Sequence, residues 1–377
     1  MGKGIPKHMA CFAVCVILLG LCACQPTENP SEETEAVYAK VIEIEKYGHA
    51  LLDLTTADLS GAGYQLGDVV SVQFGDYAAQ MPFYDGYYTN PGEVLLRGGG
   101  PESHIALCLN YENFAQETGI AIGDTVKITM AEKGGMLAYQ ELCALRYSSR
   151  REDYADDAVF ANFRAVTAGA IGDGKLYRSA SPIDNTYGRA GYAEALMADA
   201  GVVTALNLAD SPENIEAFCK EEDFRSPYYL SLWEAGNVMA LDMGSDFFSK
   251  EFAARMAEGF GFLARKDPPY CIHCSEGKDR TGITAVVLEA LMGAELQEII
   301  DDYMASFYNY YGVHREKEPE RYAAVLNNNL IPMLYHITGT DSMEALSQAD
   351  LAAAAADYLR GGGMAEADIR TLQEKLR

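Results

Sequence analysis

Cys274 and Arg280, six positions apart, are the two residues whose types and spacing suit a reaction on an anion. They lie in Ile272-His273-Cys274-Ser275-Glu276-Gly277-Lys278-Asp279-Arg280-Thr281-Gly282. The apolar run PPYCIHC reads as a short strand that delivers the cysteine. Gly277 sits mid-loop, and TGITAVVLEALMGA reads as a helix that begins just after the arginine. A loop curled between strand and helix aims successive backbone N–H groups at one point, and the helix N-terminus adds partial positive charge. Arg280 can grip two oxygens of a phosphoryl group with its planar fork. The same field favours the thiolate of Cys274, which beside a bound phosphoryl group is a nucleophile at its target. Spacing alone does not suffice, because Cys219 and Arg225 repeat it. That second stretch reads as helix, lacks Gly and packs three acids between its ends, which is the pattern of a solvated face.

The loop resembles that of the cysteine-based protein tyrosine phosphatase superfamily, in the branch reading His-Cys-x-x-Gly-Lys-Asp-Arg-Thr-Gly. Every specified position is present from His273 to Gly282. Asn162-Phe163-Arg164 and Leu176-Tyr177-Arg178-Ser179 resemble the entry motifs of that branch, and the resemblance covers residues 158–335. It implies a dual-specificity-phosphatase-like α/β domain with a parallel sheet, a phosphocysteine intermediate, and no metal or other cofactor. Residue by residue, it implies that Cys274 attacks phosphorus and that Arg280 and the amides of residues 275–280 bind the equatorial oxygens. Thr281 would donate its hydroxyl to the leaving thiolate. Ser275, Glu276, Gly277, Lys278, Thr281 and His273 make up the substrate-binding set, His273 by ordering the loop rather than as a base. Lys278 either adds charge for a multiply phosphorylated substrate or lies on the outer side of the loop. Glu276, an acid where an anion should bind, has no explanation in the sequence.

The leaving oxygen needs a proton, which in such folds comes from an Asp roughly thirty residues before the Cys. Asp242 and Asp246 stand 32 and 28 residues before Cys274. Asp246 is also placed to cap the helix that follows or to offset its dipole. Asp279 is the third candidate, and Asp242 is preferred. Other conspicuous residues read as structural. Cys271 belongs in a buried strand, although oxidation to a disulfide with Cys274 is an alternative. Tyr303, Phe307 and Tyr311 repeat at helical spacing, as core residues do. Trp233 reads as packing. His49, His104, His314 and His336 are too scattered for a metal site.

Two kinds of segment surround this loop. Residues 37–148 read as a small all-β, barrel-like domain, because VYAKVIEI, DVVSVQF and DTVKITM alternate and are punctuated by Gly-rich turns. Gly98-Gly99-Gly100 reads as one of those turns rather than a phosphate loop. The segment resembles the C-terminal β-domain of the S-adenosylmethionine hydroxide adenosyltransferase family in Ala39–Tyr47, Gly67–Val70 and Gly123–Val126. That implies its fold and not its activity, since the family's larger domain has no counterpart here; the ligand of the β-domain is unknown. Residues 149–157 are charged and read as a linker. Beyond them strands alternate with helices, as in a parallel α/β layer. VVTALNLAD reads as a strand and KEFAARMAEGFGFLARK as a helix capped by Ser249, and residues 336–377 form a helical C-terminal segment.

The chain has 29 Lys and Arg against 55 Asp and Glu, a formal charge of −26. That excludes a general affinity for nucleic acid and electrostatic docking on anionic lipid, while leaving room for one cationic cleft. Residues 1–23 have a basic start and an apolar run, Met9–Ala23, whose length at 1.5 Å per residue falls short of a hydrocarbon core of about 30 Å. This reads as a signal peptide. Leu21-Cys22-Ala23-Cys24 resembles a bacterial lipobox, so Cys24 would carry lipid and residues 24–36 would be a disordered tether. The expectation is a protein exported and lipid-anchored to the outer face of a bacterial membrane. Of nine Cys, five would remain free of signal and lipid, with a Cys108–Cys143 disulfide open. The function expected is phosphomonoester hydrolysis of tyrosine phosphatase type, on phosphotyrosine protein or phosphoinositide and inositol phosphate. The alternative is a surface-displayed protein that binds phosphorylated ligands without turnover.

Overall fold

The computed structural model describes residues 34–89 and 92–377. The signal peptide, Cys24 and most of the tether lie outside the described residues. No described helix is long and apolar enough to cross a membrane.

Seven strands come first: β1 (Val37–Ile44), β2 (Ala50–Thr55), β3 (Val69–Phe74), β4 (Tyr77–Tyr84), β5 (Val94–Arg97), β6 (His104–Leu109) and β7 (Thr125–Glu132). They close into a barrel in the order β1-β2-β6-β5-β4-β3-β7, which leaves no free edge. Alternation turns Val41, Leu52, Val70, Val72, Phe83, Leu107, Val126 and Ile128 into its interior. The repeated Gly-Asp pairs do the same local job twice. Gly67 and Gly123 take φ +89° and +94°, and the following carboxylates accept from the amides of Gln65 at 2.7 Å and Ala121 at 2.8 Å. Each closes a turn just before a strand. Gly98 to Gly100 form a turn between β5 and β6, tied by Gly99 N–H to Thr56 Oγ1 at 3.1 Å.

The segment is not purely β. A helix over Thr56–Gly61 replaces an expected turn, because Thr55 and Asp58 cap each other reciprocally. A further helix, Leu137–Cys143, leaves the barrel and packs against the helix Pro319–Val325, where Glu141 pairs with Arg321. Cys108 and Cys143 are both free thiols, so the disulfide left open by the sequence is not formed.

The second sheet holds β8 (Arg164–Ala165), β9 (Leu176–Ser179), β10 (Thr204–Asn207), β11 (Val238–Ala240) and β12 (Tyr270–His273). Its order is β11-β10-β12-β9-β8, parallel except for β8. Its central strands β10 and β12 are short and buried at every residue. Ile272 and Leu206 face a core built with the helices Lys250–Arg265, Asp279–Leu291 and Leu296–Tyr311. Cys271 and Ala205 face the opposite core, with Ala190–Asp199 and Pro227–Glu234. Asp279–Leu291 is buried along nearly its whole length, as expected for a helix apolar on all sides. The helices Leu351–Gly361 and Glu366–Leu376 place Leu359, Ile369, Leu372 and Leu376 in that same core. The ends of β10, β11 and β12 therefore open at one edge, where parallel α/β sheets hold their ligands.

Candidate active site

β12 ends at His273, and residues 274–278 curl into the helix Asp279–Leu291. Gly277 makes the curl possible. Its φ is +66°, and a Cβ there would lie 2.2 Å from the carbonyl oxygen of Ser179. The loop carbonyls are drawn outward. Ser275 O accepts from Ser181 N–H at 3.2 Å. Glu276 O accepts from Tyr310 Oη at 2.5 Å and Asn162 Nδ2 at 3.3 Å. Gly277 O accepts from Arg178 Nη2 at 2.9 Å and Asn162 Nδ2 at 3.0 Å. With the carbonyls so held, the amides of residues 275–278 donate to no described residue. They are donors without a described partner just before a helix, the kind of arrangement that can take an anion.

Cys274 lies at the base of this loop, 3% exposed. Arg280 reaches across it, donating to Ser275 Oγ at 3.3 Å and to the Met243 carbonyl at 3.0 Å. Lys278 and Asp279 turn the other way. Lys278 Nζ pairs with Asp279 Oδ1 at 3.0 Å and sits 5.1 and 5.7 Å from the ring centroids of Phe307 and Tyr311. Burial alone would lower the Lys278 pKa, but Asp279, Tyr311 and Glu276 outweigh it and hold the ammonium charged. Lys278 is thus engaged with Asp279 and the faces of Phe307 and Tyr311. Tyr303 and Phe307 are core residues, while Tyr311, half-buried, joins Phe307 as the shelf for this lysine. The Glu276 carboxylate accepts a hydrogen bond from Tyr147.

His273 and Thr281, both in the sequence-derived binding set, are wholly buried. His273 is wholly buried beneath the loop. Its Nε2 meets Tyr229 Oη at 2.9 Å, and burial lowers its pKa to about 3, so it is neutral and structural. Thr281 is also wholly buried, and its hydroxyl has no partner among the described residues rather than a bond to Cys274. Cys271 faces the opposite core from Cys274. Burial pushes its thiol up to about 12, with Ser179 Oγ 3.5 Å away. Trp233 packs against the Cys271 side. The run Cys219 to Arg225 lies beyond the end of the helix Pro212–Phe218, in turns and not in helix as the sequence suggested.

The three candidate acids occupy different places. Asp242 follows β11, exposed, with φ +46°. Its amide donates to Asp210 O at 3.2 Å, and its neighbour Met243 accepts from Arg280. Asp246 is exposed further along the same loop; Ser249 caps the helix Lys250–Arg265 and also donates to the Asp246 carbonyl at 2.8 Å. Asp279 is committed to Lys278.

Reading along the sequence missed what braces the loop. Arg164 and Arg178, visible as motif pieces, converge on Asp302 from a distant helix. Burial would raise the Asp302 carboxyl, but the two guanidiniums overwhelm it and hold it well below the usual range. Glu289 is fully buried, and burial and then Asp302 push its carboxyl well above the usual range. Ser306 Oγ accepts from Asn162 at 3.1 Å and Arg164 at 3.1 Å. Asp210, 6% exposed after β10, is held by Asn207 Nδ2 at 3.0 Å. Burial raises its carboxyl against the hydrogen bond from Asn207. The signal in the sequence was an Asp ending the strand-like run VVTALNLAD.

Among family models, one described as a tyrosine phosphatase family matches residues 160–377. No curated protein matches the chain. Among solved structures, an uncharacterized conserved protein from Thermotoga maritima is similar at 16% identity over 24% of this chain and 35% of that one, with a TM-score of 0.23. The chain thus spans about a third of that protein. The core catalytic domain of the PP-IP phosphatase SIW14 from S. cerevisiae, in complex with citrate, is similar at 19% identity over 44% of this chain and 93% of that one, with a TM-score of 0.26.

Proposed function

The chain belongs to the tyrosine phosphatase family, and on that premise we propose that it hydrolyses phosphomonoesters through a phosphocysteine intermediate. The observation that carries this is the set of tethered carbonyls that leaves the amides of residues 275–278 without a partner among the described residues, beside Cys274. In the first step Cys274 Sγ forms a bond to phosphorus as the ester P–O bond breaks. The leaving oxygen takes a proton from Asp242. In the second, water attacks phosphorus, Asp242 recovers a proton from it, and the S–P bond breaks to release phosphate. Arg280 and the loop amides hold the equatorial oxygens, where charge accumulates in both transition states.

The substrate reading is a single phosphoryl group, with phosphotyrosine protein as the first class. Arg280 is the loop cation not paired with a carboxylate, because Lys278 is spent on Asp279 and on aromatic faces. The test is phosphate release by residues 25–377 under reductant, with Cys274→Ser as control. Its panel is a phosphotyrosine peptide, a phosphoserine peptide, phosphoinositides and inositol hexakisphosphate. Release from the phosphotyrosine peptide that falls to background in the variant is expected. Preference for an inositol phosphate would reassign the substrate class. A folded protein that binds these compounds without releasing phosphate would replace the enzyme by a phospho-ligand binder.

A further inference from the structure

Glu276 poses an electrostatic problem. It is the one acid among residues 275–278, on the loop proposed above to hold a phosphoryl group. A carboxylate free to swing toward the bound phosphoryl group would repel it in a site of reduced dielectric. The structure shows where that carboxylate is instead. Tyr147 Oη donates to Glu276 Oε1, while Tyr310 Oη holds the carbonyl of the same residue.

Tyr147 is itself fixed from several sides. Its ring lies 5.0 Å from that of Tyr310 and 5.6 Å from that of Tyr311. The Arg189 guanidinium, almost fully buried, sits 4.9 Å from the ring centroids of both Tyr147 and Tyr310, and 4.8 Å from that of Phe160. Arg189 donates to Phe160 O at 2.9 Å and to Ser148 O at 3.3 Å, so it ties the chain next to Tyr147 to the catalytic domain. Burial and then Glu276 raise the Tyr147 hydroxyl far above its ordinary pKa, so it stays a donor. Tyr147 belongs to neither the loop nor the sheet. It lies four residues past the helix Leu137–Cys143, on the segment by which the chain leaves the barrel.

We propose that Tyr147 is a positioning residue that latches the Glu276 carboxylate away from the anion cradle, so that the segment leaving the barrel sets how well the loop accepts a phosphoryl group. This rests on the phosphatase reading above. The latch acts on binding and leaves the chemical step alone, because neither Tyr147 nor the Glu276 carboxylate is assigned to bond making or proton transfer.

The test is a double-mutant cycle on the tether-to-C-terminus protein, with Tyr147→Phe made in the wild type and in Glu276→Gln. Phe keeps the ring against Arg189 and Tyr310 and removes only the hydroxyl. Two quantities are read: kcat and KM on a phosphotyrosine peptide, and Kd for inorganic phosphate by calorimetry. In the wild-type background Tyr147→Phe is expected to raise KM and Kd about five- to tenfold, the size of one charge interaction in a partly solvated site, with kcat nearly constant. In the Glu276→Gln background the same change is expected to stay within about twofold. Equal losses in both backgrounds would show a structural hydroxyl and overturn the latch, as would no loss in either. Circular dichroism and thermal unfolding of all four proteins, with Kd and KM referred to the folded fraction, separate poor folding of Tyr147→Phe from loss of the latch. Wild-type protein that binds phosphate and shows no cycle overturns the latch alone. Wild-type protein that neither binds phosphate nor turns over overturns the cradle and the latch together.

Discussion

Asp242 sits in left-handed backbone, φ +46°, a conformation that Asp tolerates better than most residues. The turn it makes lays the Met243 carbonyl against Arg280, so the loop after β11 and this arginine are tied together. Asp246 lies beyond that tie, and Asp279 has its carboxylate on Lys278. Asp242 is therefore the candidate whose backbone is registered to the reacting centre. Asp242→Asn is expected to lower kcat about 100-fold on an alkyl phosphate, whose leaving group needs the proton, and only a few-fold on p-nitrophenyl phosphate. Asp246→Asn and Asp279→Asn should not discriminate between the two. The same contrast appearing with Asp279→Asn, and absent with Asp242→Asn, would move the acid to the helix start. At this scale the sequence carried the loop well, because Cys274, Gly277 and Arg280 do their work within seven residues. It could not say what Glu276 and Lys278 touch, since Tyr147, Phe307 and Tyr311 come from other segments.

Elements meet in the buried group of Arg164, Arg178, Asp302 and Glu289. β8, β9 and two helices each contribute, and the guanidiniums go on to fix the loop through Asn162, Ser306 and the Gly277 carbonyl. The two acids have opposite pH signatures. Asp302 has its folded pKa depressed by Arg164 and Arg178, against burial. Its stabilisation is present above the unfolded value of about 3.9 and is lost as pH falls. Glu289 has its folded pKa raised by burial and Asp302. Its contribution is full below the unfolded value of about 4.3 and is lost as pH rises, at up to about 1.4 kcal/mol per pH unit. Gln is nearly isosteric with the protonated acid and cannot ionise. Urea unfolding between pH 5 and 8 should thus show Glu289→Gln gaining on the wild type as pH rises. Parallel curves would mean that Glu289 is ionised in the fold. The strands and helices of this region were legible from period and caps, such as Ser249 before Lys250–Arg265. The network was not: Asp302 and Glu289 lie on helices that pattern reading assigns only to a buried or amphipathic class, and the arginines that pair with Asp302 are more than a hundred residues away.

Across the whole molecule, alternation followed by βα order separated a β segment from an α/β layer, but short-range pattern cannot show how the two touch. Their contact runs through Leu137–Cys143 and Tyr147, a stretch with no motif of its own. Charge is the property that acts over the whole surface. With a formal −26, long-range repulsion opposes the approach of any polyanion, while attraction is confined to the cradle. The Debye length shortens from about 30 Å at 10 mM salt to about 10 Å at 100 mM, so salt screens the surface more than the half-enclosed loop. On a multiply phosphorylated inositol, kcat/KM should therefore rise several-fold over that range. On a phosphotyrosine peptide flanked by Lys it should fall, because the same surface attracts the peptide. A fall for the inositol phosphate would mean that the local field of Arg280 and the helix start reaches past the acidic surface. Lys278 would then have to leave Asp279 and the Phe307 and Tyr311 rings to meet a second phosphate, and the assignment of a singly phosphorylated substrate would give way.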